Sequence, residues 1–307
     1  MNVTIRQLKV FAAVAKHNSF TRAAEALHLT QPAVSMQVKQ LEGSAGLPLF
    51  EQIGKKIFLT EAGREMYHYA RQIAQQLNEA EEVMQALKGI QRGRLAISVA
   101  STANHFGTRL LAAFSKKYPS VTIKLDVVNR ETLLHQLVEN EKDLVIMGQP
   151  PSNIELNTEP FMENPLVMVA HAGHPWAKEK NIKAERLRDK TFVVREPGSG
   201  TRMAMERFFE SHGIPFEPGM EMTSNEAIKQ AVEAGLGLAV VSIHTLELEL
   251  ETGRLAILNV QGFPIMRHWY VVHPRSKRLS PVAETFRQFV LNEAQSGFQA
   301  APSLTGD

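Results

Sequence analysis

The sequence predicts a protein of mixed class, in which a small all-helical unit with a short hairpin, one long helix and a larger α/β domain follow one another. Three observations predict this order. Apolar residues recur at helical spacing over residues 1–60, residues 64–87 contain neither Gly nor Pro, and short apolar runs alternate with helical patterns over residues 94–295. A length of 307 residues is enough for two or three such units.

The composition is that of an ordinary soluble protein, with 44% hydrophobic and 21% charged residues. No apolar run approaches the roughly 20 residues of a membrane helix, and the N-terminus lacks a signal-peptide pattern, so we expect a cytoplasmic protein without a membrane partner. The absence of cysteine excludes disulfides, thiolate ligands and a cysteine nucleophile. The 11 His include no His-Glu-x-x-His pair, so we expect no metal site.

Charge is distributed unevenly along the chain. The formal net charge is +2, but residues 1–60 contain seven Lys or Arg against three acidic residues, a balance of +4. A basic N-terminal unit ahead of a near-neutral remainder suggests that this end of the protein meets a polyanion.

Residues 20–41 have the pattern of two short helices joined by a tight turn, preceded by a supporting helix. The apolar stripe of the supporting helix consists of Leu8, Phe11, Ala12 and Ala15. The first short helix is predicted from about Phe20 to Leu27, where small alanines let a neighbouring helix approach closely. The second is predicted from about Gln31, with Pro32 in the first turn, where its missing N–H costs nothing.

The two faces of the second short helix differ in chemistry. At about 100° per residue, Val34, Val38 and Leu41 share one aliphatic face. The opposite face is polar, thioether and basic, and it carries Pro32, Ser35, Met36 and Lys39. Such a pair of faces is what a helix needs to enter a DNA major groove and contact base edges. The same pattern also fits an ordinary surface helix of a small bundle.

A short hairpin with a basic tip is predicted after Leu41, where a Gly-rich stretch ends the helix. Its strands lie near residues 49–50 and 57–59, with Lys55 and Lys56 at the tip. The tip would bring two cations to phosphates or into a minor groove, although a solvated turn has the same pattern. Further candidates for phosphate contacts are the polar side chains of Ser19, Thr21 and Gln31.

The helix predicted over residues 61–88 carries a heptad seam. Its apolar positions alternate steps of four and three residues, and they are Met66, Ala70, Ile73, Leu77, Ala80, Met84 and Leu87. We expect this helix to form a dimer with a second copy, which would place paired DNA-reading helices on half-sites roughly 34 Å apart. A single amphipathic helix lying on its own domain is the alternative. Two glycines mark a hinge over residues 89–93.

Residues 94–295 alternate strands and helices. Strands are predicted at 95–100, 121–128, 144–147, 166–170, 192–194, 238–241 and 269–272, and helices at 105–118, 132–139, 202–212, 225–234 and 281–294. This order predicts an α/β domain with mostly parallel sheets in two lobes, one of residues 94–165 with 268–295 and one of residues 166–267. Such sheets bind ligands beyond the carboxyl ends of their strands. Residues 296–307 are expected to form a disordered tail.

Four motifs resemble those of a known family, and they are Phe20-Thr-Arg-Ala-Ala-Glu-Ala-Leu-His-Leu-Thr-Gln-Pro-Ala-Val-Ser35, Leu41-Glu42, Leu47-Pro-Leu-Phe50 and Leu59-Thr-Glu-Ala-Gly63. Together they resemble the N-terminal signature of the LysR-type transcriptional regulators, and the resemblance covers essentially the whole chain. It implies a winged helix-turn-helix, a linker helix and a two-lobed effector domain of the type-2 periplasmic-binding-protein kind. It also implies double-stranded promoter DNA as partner, RNA polymerase as a further candidate partner, a tetramer of two dimers, and no enzymatic activity.

Other segments resemble a branch of that family, and they are Phe50-Glu-Gln52, Met147-Gly-Gln-Pro-Pro151 and Val194-Arg-Glu-Pro-Gly-Ser-Gly-Thr-Arg202. The branch comprises the regulators of the Calvin-cycle (RuBisCO) operon, which favours an activator of carbon-fixation genes. Many family members carry Arg where this chain has Met36 and Gln52, so the contacts of those arginines cannot be carried over. Met36 could instead meet a thymine methyl.

The resemblance places a small-molecule effector between the two lobes, and the sequence supplies parts of an anion site there. Polar or small residues follow three predicted strands, and the candidates are Ser101, Thr102, Asn104, Gly148, Gln149, Gly198, Ser199, Gly200, Thr201 and Arg202. Free N–H groups at helix starts and the guanidinium of Arg202 suit an oxyanion. We therefore expect a phosphorylated or carboxylated metabolite and no cofactor, with ribulose bisphosphate, phosphoenolpyruvate and NADPH as hypotheses. The neighbours His105, Asn225 and Arg195 rank lower.

Simpler and rival explanations stay open from the sequence alone. An ordinary β–α turn with an N-cap would also account for Gly198–Thr201. The functional rivals are a LysR-type regulator of another metabolic pathway, and an enzyme or metabolite-binding protein with a helical dimerisation appendage. Nucleotide-fold motifs fail on context, because no Gly-Lys-Ser/Thr follows Gly200 and Gly235-Leu-Gly237 follows a helix, the reverse of a Rossmann fingerprint. A basic helix-turn-helix with its hairpin argues against the enzyme.

Overall fold

The computed structural model describes residues 2–54, 56–87 and 93–295. The chain divides into two compact units, one of residues 1–90 with 139–141 and one of residues 91–138 with 142–307. The predicted hinge at residues 89–93 falls mostly outside the described residues, and the predicted tail wholly outside them. Within these ranges, no helix has the length and apolar character that crossing a membrane requires.

The first unit is a set of helices with a two-stranded hairpin. Its elements are α1 Ile5–His17, α2 Phe20–Leu27, α3 Gln31–Ala45, β1 Phe50–Ile53, β2 Lys56–Leu59 and α4 Glu61–Leu87. Ser19 caps α2, its Oγ accepting from the Arg22 backbone N–H at 3.3 Å. The helix stop predicted within residues 42–48 is confirmed, since α3 ends at Ala45 and its C-cap Gly46 has φ +74°. The helix runs through Gly43 because one interior glycine costs only about 1 kcal/mol, which the packing of α3 outweighs.

Aromatic and aliphatic side chains fill the core of this unit. Phe50 of β1 packs against Phe11 of α1 and Phe20 of α2, with ring centroids 5.2 and 5.7 Å apart. The inward face predicted for α3 is buried, with Val34 and Val38 in the same core cluster. The hairpin is thereby fixed to the helices by its first strand.

The long helix α4 has features of both of its predicted roles. Ala70 is buried in a core cluster of the first unit, whereas Ile73 is 39% and Met84 55% exposed. Gly63 fits at the start of α4 because a Cβ there would lie 2.0 Å from the Leu49 carbonyl oxygen. The first turns of the seam therefore lie on their own domain, and later turns present apolar side chains to solvent.

The second unit is an α/β domain with two lobes. Its strands are β3 Gly93–Ala100, β4 Val121–Val128, β5 Leu144–Met147, β6 Leu156–Glu163, β7 Leu166–His171, β8 Val193–Arg195, β9 Met220–Met222, β10 Ala239–Ser242, β11 Leu255–Ile257 and β12 His268–Pro274. Its α-helices are α5 Asn104–Lys117, α6 Arg130–Val138, α7 Gly200–Ser211, α8 Asn225–Glu233, α9 Glu247–Glu251 and α10 Pro281–Gln295. The sequence pattern did not predict β6, β9, β11 or the short helix α9.

Each lobe has its own sheet. In the first lobe the order is β4-β3-β5-β12-β6, where β3 is parallel to β4 and β5, and β12 is antiparallel to β5 and β6. In the second lobe β7 lies between β10 and β11 and is antiparallel to both, while β8 and β9 form a parallel pair. The prediction of mostly parallel sheets is wrong, because β12 runs antiparallel to both of its neighbours in the first lobe and β7 to both of its neighbours in the second.

Two chain segments connect the lobes, and we call residues 163–166 and 265–269 the crossover segments. They are hydrogen-bonded to each other as a short ladder. The Asn164 N–H donates to the Arg267 carbonyl at 2.7 Å, and Leu166 and Ile265 exchange two backbone bonds of 3.0 and 2.9 Å. Paired segments of this kind are where a change of angle between the lobes would be absorbed.

Candidate DNA interface and effector cleft

The outward face of α3 is exposed, as its sequence pattern predicts. Pro32 and Lys39 are exposed, Ser35 is half-buried and Met36 is 53% exposed. A thioether so exposed among polar neighbours is available to an apolar group such as a thymine methyl. Whether these side chains contact bases stays a prediction.

The candidates for phosphate contacts lie on the hairpin and at the starts of α2 and α3. Gln52 Nε2 donates to the Gly54 carbonyl at 3.0 Å, so this side chain closes the hairpin turn where many family members carry Arg. Lys56 is exposed, whereas Lys55 lies outside the described residues. Thr21 and Gln31 are exposed beside the half-buried cap Ser19, and these phosphate contacts also stay predictions.

Six of the ten predicted effector residues line one cavity between the lobes. They are Ser101, Thr102, Gly148, Ser199, Gly200 and Thr201. They come from the 3-10 turn after β3, the end of β5 and the start of α7, so three strand ends converge. Neither the 3-10 turn nor α7 has a side-chain cap, which leaves their first backbone N–H groups available to an oxyanion.

The other four candidates do not line the cavity, and they are Asn104, Gln149, Gly198 and Arg202. The expectation of a free guanidinium on Arg202 is wrong. Its Nε donates to Glu206 at 2.8 Å and its Nη1 to Glu221 at 2.5 Å. The hydrogen bond to Glu206, followed by that to Glu221, raises the pKa of Arg202. Because Glu206 lies one helical turn away, it holds the guanidinium locally.

Other arginines line the cavity instead. Arg195 is buried there, but Glu196 neutralises it through hydrogen bonds of 2.7 and 2.8 Å. Arg130 and Arg267, which carry no motif in the sequence, also line it, and each donates to one backbone carbonyl, at 2.7 and 2.6 Å. In the described part of the chain, neither has a carboxylate at ion-pair distance.

Burial and like charge act on these two guanidinium groups. Burial, followed by the positive charges of Arg207 and Arg130, lowers the pKa of Arg267 to about 10. Burial and Arg207 also lower the pKa of Arg130. Arg267 is still charged at neutral pH, so three cations lie near one another, and an anion bound among them would relieve their repulsion.

Four further side chains of the cavity wall are buried hydrogen-bond donors, and they are Ser199, Thr201, Asn164 and Trp269. Among the described residues, the buried indole N–H of Trp269 has no hydrogen-bond partner. The Asn164 amide uses only its oxygen, which accepts from Ser242 Oγ at 2.7 Å. The described lining contains one carboxylate, that of Glu196, so donors outnumber acceptors, as an oxyanion site requires. The described chain shows no group of potential metal ligands.

Two family models match this chain. The helix-turn-helix model, described as a bacterial regulatory helix-turn-helix protein of the lysR family, matches residues 5–64. The LysR substrate binding domain matches residues 88–295. The chain belongs to the LysR family of transcriptional regulators, as its motifs predicted, and the enzyme alternative is set aside.

Comparison with individual relatives indicates the branch of the family to which this chain is similar. A RuBisCO operon transcriptional regulator of Allochromatium vinosum is 59% identical over 96% of this chain and 97% of its own, which confirms the resemblance to that branch. The regulatory domain of Synechocystis PCC6803 CcmR, solved in complex with 2-PG, is 42% identical, with a TM-score of 0.65 over 66% of this chain and 98% of that one. Full-length CbnR complexed with its target DNA is 21% identical, with a TM-score of 0.68 over 94% and 99%, and supports the fold alone.

Proposed function

We propose that this LysR-family regulator activates carbon-fixation genes and that a small anionic metabolite bound between its lobes controls it. The identity to the RuBisCO operon regulator supports the target genes. The observation that carries the ligand class is the uncompensated Arg267 among buried donors. The complex of CcmR makes 2-PG the first ligand to test, ahead of ribulose bisphosphate, phosphoenolpyruvate and NADPH.

Operator reading is assigned to the exposed face of α3. The residues that would meet the bases are Pro32, Ser35, Met36 and Lys39. Those that would contact phosphates are Ser19, Thr21, Gln31, Lys55 and Lys56. The Oγ of Ser19 accepts a backbone N–H, which leaves its own proton free to donate to a phosphate oxygen. Phosphate contacts fix the register of the helix, and the base contacts supply specificity.

Dimerisation is assigned to α4. Tyr69, Ile73 and Met84 are exposed apolar side chains on this helix, which a second α4 would cover. A tetramer of two such dimers would place two pairs of recognition helices on promoter DNA in the cytoplasm, in reach of RNA polymerase.

Control would come from closure of the lobes on the anion, since its contacts come from both. Ser101 and Thr102 belong to the first lobe, and Ser199–Thr201 to the second. To move a two-state equilibrium from 1:99 to 99:1, the closed state must bind the ligand about 10⁴-fold more tightly, or about 5.5 kcal/mol. Charged hydrogen bonds contribute roughly 1.5–3 kcal/mol each, so two to four contacts made only on closure suffice.

The test is a footprint of the purified protein on DNA upstream of a carbon-fixation operon, with and without each metabolite. A specific footprint whose length or bend changes with one phosphorylated metabolite is expected. A metabolite response on the promoter beside the protein's own gene, with no footprint on carbon-fixation DNA, would instead favour a regulator of another pathway. Binding of DNA with no response to any anion would reject the proposed ligand class.

A further inference from the structure

The crossover segments contribute side chains to the cavity as well as connecting the lobes. Asn164 lies between β6 and β7, and Arg267 and Trp269 lie at the start of the return path through β12. All three line the cavity. The segments are held together by the Asn164 N–H donating to the Arg267 carbonyl at 2.7 Å. A group bound here would therefore contact the connection between the lobes directly.

Two side chains of the crossover segments have N–H groups that make no hydrogen bond among the described residues. Asn164 is 3% exposed, and its amide oxygen is taken by Ser242 of the second lobe, which orients its NH₂ group without satisfying it. Trp269 is 1% exposed, its ring packs on Phe106 of the first lobe with centroids 5.2 Å apart, and its Nε1 has no partner among the described residues. A buried indole N–H without an acceptor destabilises the unliganded site, and a ligand oxygen would satisfy it.

We infer that Asn164 and Trp269 donate hydrogen bonds to an oxygen of the bound anion and thereby recognise the effector at the hinge between the lobes. This inference rests on the proposed anionic effector and adds the specificity-determining residues. The ligand class is a phosphate monoester or carboxylate whose oxygens reach from the helix starts to the crossover segments. A contact at the hinge couples occupancy to the angle between the lobes, because each donor is fixed to a different lobe by Ser242 or Phe106.

The sequence offers a direct reporter for this contact. The chain has two Trp, so in the full-length Trp176→Phe variant the emission reports Trp269 alone. We expect a saturable change in emission on titration with 2-PG or ribulose 1,5-bisphosphate, and a weaker one with inorganic phosphate. Calorimetry of the unsubstituted protein gives the affinities independently, should the Trp176→Phe variant fail to fold.

The decisive variant is Asn164→Asp, which keeps an acceptor for Ser242 but replaces the NH₂ donor by an anionic oxygen. We expect roughly ten- to hundredfold weaker binding of the phosphorylated ligand by calorimetry, as for a lost hydrogen bond to a charged group. Asn157→Asp is the matched control, since it adds the same charge at an exposed position of β6 outside this cavity, and its affinity should be unchanged. Trp269→Phe keeps an aromatic ring and should weaken binding about fivefold.

The outcomes distinguish a failure of the hinge contact from a failure of the proposed effector class. Wild-type affinity in both Asn164→Asp and Trp269→Phe would overturn the hinge contact and leave the anionic effector in place. Failure of the unsubstituted protein to bind any of the three ligands by calorimetry would reject the hinge contact and the proposed effector class together. Weakened binding in both variants, with the Asn157→Asp control unaffected, supports the inference.

Discussion

Replacing Arg267 by Met removes a charge that the structure holds at a cost. Burial lowers its pKa to about 10, so at 1.36 kcal/mol per pKa unit, holding this charge costs at most about 3 kcal/mol. A base with a lowered pKa carries this cost at every pH below about 10 and loses it only as the pH rises above 10 toward the ordinary pKa of arginine. The variant also loses the 2.6 Å hydrogen bond to the Gly200 carbonyl, worth roughly 1.5–3 kcal/mol. At pH 7 the unliganded variant should therefore be within about 1.5 kcal/mol of wild type.

The effect on the liganded protein is expected to be large. At a concentration of 100 times Kd, a ligand stabilises the folded state by about 2.7 kcal/mol. Chemical denaturation with and without 2-PG should show this gain in the wild type, and the Arg267→Met variant should lose most of it. Arg275→Met is the control, because Arg275 is exposed beyond β12 and does not line the cavity. A variant that is several kcal/mol less stable without ligand, yet gains the full ligand stabilisation, would refute the reasoning and make Arg267 a structural residue.

Four further predictions follow from the described contacts. Met36→Ala should weaken operator binding at a position containing thymine and nowhere else, and unchanged base preference in a binding-site selection would contradict the proposed contact. Ile73→Glu should convert dimers to monomers in sedimentation, because it places a charge on the exposed seam of α4. Gly63→Ala should lower the free energy of unfolding by several kcal/mol, since its Cβ would lie 2.0 Å from the Leu49 carbonyl oxygen. Arg202→Ala should retain the metabolite response in a footprint, because the guanidinium is held by acidic side chains outside the cavity; loss of the response would restore Arg202 as a ligand.

The N-terminal unit was predictable because its signals are local. A small-residue helix, Pro32 in a first turn and an aliphatic stripe on α3 each act within one or two helical turns. The last residue of α3 was not predictable, because the predicted stop covers residues 42–48 and packing carries the helix through Gly43 to Ala45. The direction of the strands was also not predictable, since a strand pattern indicates which residues are buried and not which way the strand runs. β6 escaped prediction because most of its residues are exposed or half-buried, and the first-lobe sheet is mixed because β12 runs antiparallel to both β5 and β6.

The two arginines of the effector region show why the site itself was only partly predictable. Arg202 follows a Gly-rich turn and opens a helix, so proximity in sequence favours it as an anion ligand. The same helix places Glu206 at i+4, and this carboxylate takes the guanidinium. Arg267 lies in no motif and reaches the cavity only because the crossover segments pair. No acidic residue lies three or four positions from it, and no carboxylate of the described chain neutralises it. A guanidinium without a local acid, brought to a strand-end cleft by tertiary pairing, is therefore the better candidate for a ligand contact than one that a helix already satisfies.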